Sequence, residues 1–135
     1  MPDVDIAQLV RDALLAAGCT PGQIGSFDGH STIELEFSNL PAVNVSMIEQ
    51  DVWLWAHVAE LTPAIRASAA EPLLNFLMKG FGAARTQQLQ LTDVEGVLEL
   101  RVCLSDNALA SPQGMMDALE GFIGAMEELK ELLRV

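Results

Sequence analysis

Asp51-Val52-Trp53-Leu54-Trp55-Ala56 holds both tryptophans of the chain, two residues apart. An extended strand repeats every two residues, so both indoles leave the backbone on one face. A strand that places its only two indoles side by side builds either a heavy patch of core or a surface meant to be covered by something else. The residues on either side of it set the fold in which that choice is made.

Immediately upstream, Glu49-Gln50-Asp51 turns out of a segment in which Val43, Val45 and Met47 alternate with Asn44 and Ser46. Before that, across Ser38-Asn39-Leu40-Pro41, Ile33, Leu35 and Phe37 alternate with Thr32, Glu34 and Glu36. Such alternation predicts half-exposed strands, and three of them joined by short turns predict an antiparallel meander. Strand-like character begins around Ile24, after the break at Thr20-Pro21-Gly22. Further upstream, Ile6, Leu9, Val10, Ala13 and Leu14 recur at helical spacing. They predict an amphipathic first helix of about four turns, capped by Asp3 or Asp5 and ended by Gly18.

Downstream, Thr62-Pro63 pairs a capping hydroxyl with a proline suited to the first helical position, predicting a helix toward Lys79-Gly80. Pro72 falls inside it, where a ring costs about 3 kcal/mol, so a kink or a restart at Glu71-Pro72 is expected. Leu89 and Leu91, the turn Asp93-Val94-Glu95-Gly96, then Leu98, Leu100 and Val102 predict a hairpin. Ser111-Pro112 opens a last helix with an apolar stripe of Met115, Leu119, Phe122, Ile123, Met126, Leu129 and Leu133. The predicted order is α-β-β-β-α-β-β-α, an α+β domain over residues 1–135 in which an antiparallel sheet carries flanking helices.

Half of the 135 residues are hydrophobic, yet 19 Asp and Glu against 7 Lys and Arg leave a formal net charge of −12. The scattered basic residues argue against a nucleic-acid partner, and every apolar run stops short of the roughly 18–20 residues a bilayer span requires. The acidic start Met1-Pro2-Asp3-Val4-Asp5 lacks the basic region of a secretory signal, so a cytoplasmic location is expected. Cys19 and Cys103 have no metal-ligand spacing and are expected to be buried free thiols.

Acid–base catalysis near neutral pH would draw on His30 or His57, and neither sits in a catalytic motif. Glu34 and Glu36 suit a solvated strand face, and Glu127, Glu128 and Glu131 a solvated helix face. Gly22, Gly25 and Gly29 precede no helix that could cradle phosphate. No enzyme activity, cofactor or metal is therefore expected. What stands out instead is apolar surface. The second helix carries Ile65, Leu73, Leu74, Phe76, Leu77 and Met78 around much of its last two turns, which predicts burial either in the chain's own core or against another subunit.

Asp5-Ile6-Ala7-Gln8-Leu9-Val10-Arg11, Gly18-Cys19, Ile24-Gly25, Asp28-Gly29-His30-Ser31-Thr32-Ile33 and Asp51-Val52-Trp53-Leu54-Trp55-Ala56 together resemble the InvB/SpaK-type chaperones of bacterial type III secretion. The likeness is strongest through about residue 60, and its specificity lies in the ordered set. Beyond it, Ala84-Arg85, the strand Gln88 to Leu91 and the last helix keep the layout. The resemblance implies a small acidic homodimer of the bacterial cytoplasm that holds an amino-terminal effector segment extended before export, with no catalysis and no cofactor. Apolar pockets would accept side chains of that segment and an exposed strand would extend the sheet. The partners implied are secreted effectors and a second copy of the chain, with the secretion ATPase as a further candidate.

The expected effector groove comprises Leu9 and Leu14 of the first helix together with Ile24, Phe27, Ile33, Leu35, Phe37, Val43, Val45, Trp53 and Trp55 of the strands. The face of Ile33, Leu35 and Phe37 is equally well read as ordinary core. Leu73, Phe76, Leu77 and Phe81 are the expected dimer contacts. The other reading left open is a small-molecule-binding α+β domain without catalysis.

Overall fold

The computed structural model describes residues 5–19 and 32–134. Its centre is the strand β3 (Asp51–Glu60), built on the tryptophan segment. Strands β1 (Ile33–Leu35) and β2 (Val43–Ile48) precede it, and β4 (Gln90–Val94) and β5 (Val97–Cys103) follow. All pairings are antiparallel, in the spatial order β1-β2-β3-β5-β4. Two tight turns set the registers. Glu49 and Gln50 (φ 51° and 73°) close β2 on β3, and Glu95 and Gly96 (φ 52° and 86°) close β4 on β5. Two successive positive φ values suit the right-handed twist of the strands they join. In the second turn the Gly96 amide also donates to Asp93 Oδ1 at 2.8 Å.

Helix α1 (Ile6–Ala16) comes before the sheet, α2 (Pro63–Met78) links β3 to β4, and α3 (Pro112–Leu133) ends the described chain. Each helix begins where a side-chain oxygen takes an orphan amide. Asp5 Oδ1 accepts from Gln8 N at 3.1 Å, Thr62 Oγ1 from Ile65 N at 3.1 Å, and Ser111 Oγ from Gly114 N at 3.0 Å. Helix α1 is shorter than the expected four turns: its 11 residues end at Ala16, and Gly18 follows at φ +100°, a conformation glycine adopts without steric cost. Helix α2 runs through Pro72 without the expected restart. Both Pro72 and Ser68, whose carbonyl loses its helical partner, are exposed, so solvent can satisfy that oxygen.

Helix α3 lies on one face of the sheet and buries Met115, Leu119, Phe122, Met126, Leu129 and Leu133. Both α1 and α2 pack against α3. From below, the sheet meets these helices with Val45, Leu54 and Val102, which lie side by side across three strands and are wholly inaccessible. Burying an aliphatic side chain of this size contributes about 1.5–3 kcal/mol, so this layer holds the fold together. The predicted element order and fold class are those observed. No described helix is long and apolar enough to cross a membrane. Both cysteines are free, but only Cys103 is buried; Cys19 is half-buried just past the end of α1.

Candidate partner-binding site

The sheet's other face has no helix among the described residues. Strand alternation puts on it the residues between those of the core: Asn44 and Ser46 from β2, Trp53, Trp55 and His57 from β3, Glu99 and Arg101 from β5, and Thr92 from β4. Register then decides which of them meet. Ser46, Trp53 and Cys103 form one cross-strand row, Asn44, Trp55, Arg101 and Gln90 a second, and His57, Glu99 and Thr92 a third. Both tryptophans are half-buried.

Polar groups contact both rings. Trp55 Nε1 donates to Ser46 Oγ at 3.1 Å, and the Ser46 and Thr32 hydroxyls lie 2.9 Å apart. The His57 ring is tilted against Trp55 at 5.4 Å, and His57 Nε2 is 3.2 Å from Glu99 Oε1. Thr92 Oγ1 donates to Glu99 Oε2 at 3.1 Å, so both oxygens of this buried carboxylate are engaged. The Arg101 guanidinium sits 4.4 Å from the centre of the Trp53 ring, an arrangement in which the ring's negative face attracts the cation.

Around this aromatic pair opens a cleft of about 360 Å³, walled by Ser46, Met47, Ile48, Trp53, Trp55 and Arg101. Met47 and Ile48, at the end of β2, are 39% and 50% exposed, so the cleft continues into an apolar hairpin tip. Nearby, Arg85 Nη1 donates to Asp51 Oδ1 at 2.6 Å, and that hydrogen bond raises the arginine pKa above its ordinary value. Burial pushes the Cys103 thiol up, with Arg85 opposing the shift.

The groove residues expected from sequence fall into separate places. Ile33, Leu35, Val43 and Val45 are in the core, where the other face of the alternation packs beneath the helices; in this conformation they have no surface to offer a partner. Leu9 and Leu14 are half-buried against that core. Phe37 lies beyond the end of β1, which stops at Leu35, and is 37% exposed. Ile24 and Phe27 lie outside the described residues. Of the described members of the set, Trp53 and Trp55 alone occupy the open face. Of the expected dimer contacts, Phe76 is buried and Leu73, Leu77 and Phe81 are half-buried, while Leu74 and Met78 on the same helix are 57% and 69% exposed.

Sequence reasoning missed Glu99 and Arg101 as members of the tryptophan face. Their alternation with Leu98, Leu100 and Val102 identifies a polar strand face, and the pairing of β5 with β3 is what brings that face to Trp53 and Trp55.

Residues 18–95 match the model of the Invasion protein B family. Over 127 residues, 94% of each chain, the sequence is 36% identical to surface presentation of antigens protein SpaK of Salmonella typhimurium. The same identity and coverage hold for SpaK of Salmonella typhi. Among solved structures the fold is similar to a chain of the heterodimeric ExoU-SpcU complex from the type III secretion system of Pseudomonas aeruginosa. That match has a TM-score of 0.54 and 15% identity, over 90% of this chain and 91% of that one. A chain of the HopA1-SchA chaperone-effector complex matches with a TM-score of 0.57 and 21% identity, over 92% and 91%.

Proposed function

The chain belongs to the Invasion protein B family, and from that premise we propose that it is a type III secretion chaperone that binds the amino-terminal segment of one or more secreted effectors. It acts by binding, as a homodimer in the bacterial cytoplasm, and keeps the segment extended until export. The observation that carries this reading is the division of the sheet. One face is sealed by helices, while the other displays Trp53 and Trp55 beside an apolar hairpin tip. Two half-buried indoles at a cleft are the kind of apolar surface that a partner covers. The likeness in fold to chains of the ExoU-SpcU complex of a type III secretion system and of the HopA1-SchA chaperone-effector complex agrees with it.

An extended segment gains backbone hydrogen bonds by adding to a sheet edge and selectivity by placing alternate side chains in pockets. Among the described residues β1 and β4 are the two edges, each with one strand neighbour. The net charge of −12 favours encounter with basic segments, so association slows as salt rises. For the dimer, Leu74 and Met78 on α2 extend the expected contacts Leu73, Phe76, Leu77 and Phe81 into an apolar surface that a second copy would cover.

Co-expression with tagged amino-terminal segments of secreted proteins, followed by size exclusion with light scattering, tests this. The expected species is a dimer that retains a segment. A monomer that retains none contradicts the proposal.

A further inference from the structure

Arg101 differs from Arg66, Lys79 and Arg85, each of which donates to a carboxylate. Arg66 Nη2 donates to Asp93 Oδ2 at 3.1 Å, Arg85 donates to Asp51, and Lys79 donates to Glu128. The Arg101 side chain makes no hydrogen bond among the described residues. Its nearest carboxylate oxygen, Glu99 Oε2, is 3.7 Å from Nη1, and Nε is buried with no partner. Glu99 is already engaged by Thr92 and His57. Trp53 meanwhile holds the guanidinium at 4.4 Å, and 32% of the side chain is exposed at the wall of the cleft.

A planar guanidinium presents five donors in a fixed fork, and the acceptor that matches the fork is a carboxylate, taken by two parallel hydrogen bonds. Here the fork is already oriented by stacking, so little side-chain freedom is lost when an acceptor arrives. The neighbouring walls, Met47, Ile48 and Trp53, suit an aliphatic side chain. In an extended peptide, residues two apart project to the same side and can serve both subsites.

We propose that Arg101, stacked on Trp53, anchors an Asp or Glu side chain of the bound effector segment, with an aliphatic residue two positions away filling the cleft beside Met47 and Ile48. This rests on the effector-binding reading and adds a specificity element to it. The charge of the whole chain bears on the rest of the segment. At long range an acidic protein repels an acidic peptide, so the segment is basic or neutral overall and carries one carboxylate at this point.

An array of immobilised 12-residue peptides of varied sequence, probed with the purified chain, tests the inference. Bound peptides are expected to be enriched in Asp or Glu two positions from Leu, Ile, Val or Met. In solution, changing the peptide's Glu to Gln, or the protein's Arg101→Gln, should weaken binding about tenfold, and both changes together no further, since each removes the same contact. Arg101→Lys keeps the charge without the fork and should fall between. The unaltered protein with the Glu-to-Gln peptide settles the matter even where a variant fails to fold. Peptides bound without carboxylate preference, or equally by Arg101→Gln, overturn the anchor and leave effector binding standing. If no peptide binds the unaltered chain, the effector-binding reading falls and the anchor with it.

Discussion

The two faces of one sheet differ by a single step along each strand. On the covered face Val45, Leu54 and Val102 align and see no solvent; one residue along, Ser46, Trp53 and Cys103 align on the open face. The largest side chains of β3 are on the side that no described helix covers, and the medium-sized ones fill the core. Aromatic bulk is therefore no guide to the core here. The aliphatic residues interdigitate beneath α3, and the indoles stay where a cation lies over the face of one and a hydroxyl and an imidazole contact the other.

The comparison breaks most readily on stability. Leu54→Ala on the covered face should cost about 2–5 kcal/mol, read as a fall in the urea midpoint, because the cavity adds to the lost transfer energy. Ser111→Ala should cost about 1 kcal/mol by freeing an amide at the start of α3, the helix that seals that face. Trp53→Leu on the open face should cost far less than Leu54→Ala in the same assay, about as much as Ser111→Ala. It loses a cation–π contact and cross-strand packing together worth about 1 kcal/mol, yet should abolish retention of an effector segment. If Trp53→Leu instead unfolds the chain as far as Leu54→Ala does, the indole is core and the faces are not distinct in kind.

Much of this was legible in the sequence because local rules were obeyed. Alternation located the strands, and Thr62-Pro63 and Ser111-Pro112 marked two helix starts where the caps are found. Less was legible wherever the outcome depends on what covers a residue. Ile33, Leu35, Val43 and Val45 have the pattern of any one-sided sheet, and only the positions of the helices assign them to the core. Phe37 continues the alternation on paper but lies beyond the strand's last pair, Leu35 with Val43. Leu74 and Met78 fit the reading of α2 as apolar around much of its last two turns, but they face solvent. The pairing of Arg101 with Trp53 depends on a register between strands more than forty residues apart, which no local pattern encodes.

Since both indoles lie on the open face, tryptophan emission reports on that face and no other. The most direct measurement is the emission spectrum and acrylamide quenching of the chain as an amino-terminal effector segment is titrated in. If the open face receives the segment, emission shifts to the blue and quenching falls, in proportion to binding. A segment that binds while emission and quenching stay unchanged would place the site elsewhere and contradict this account.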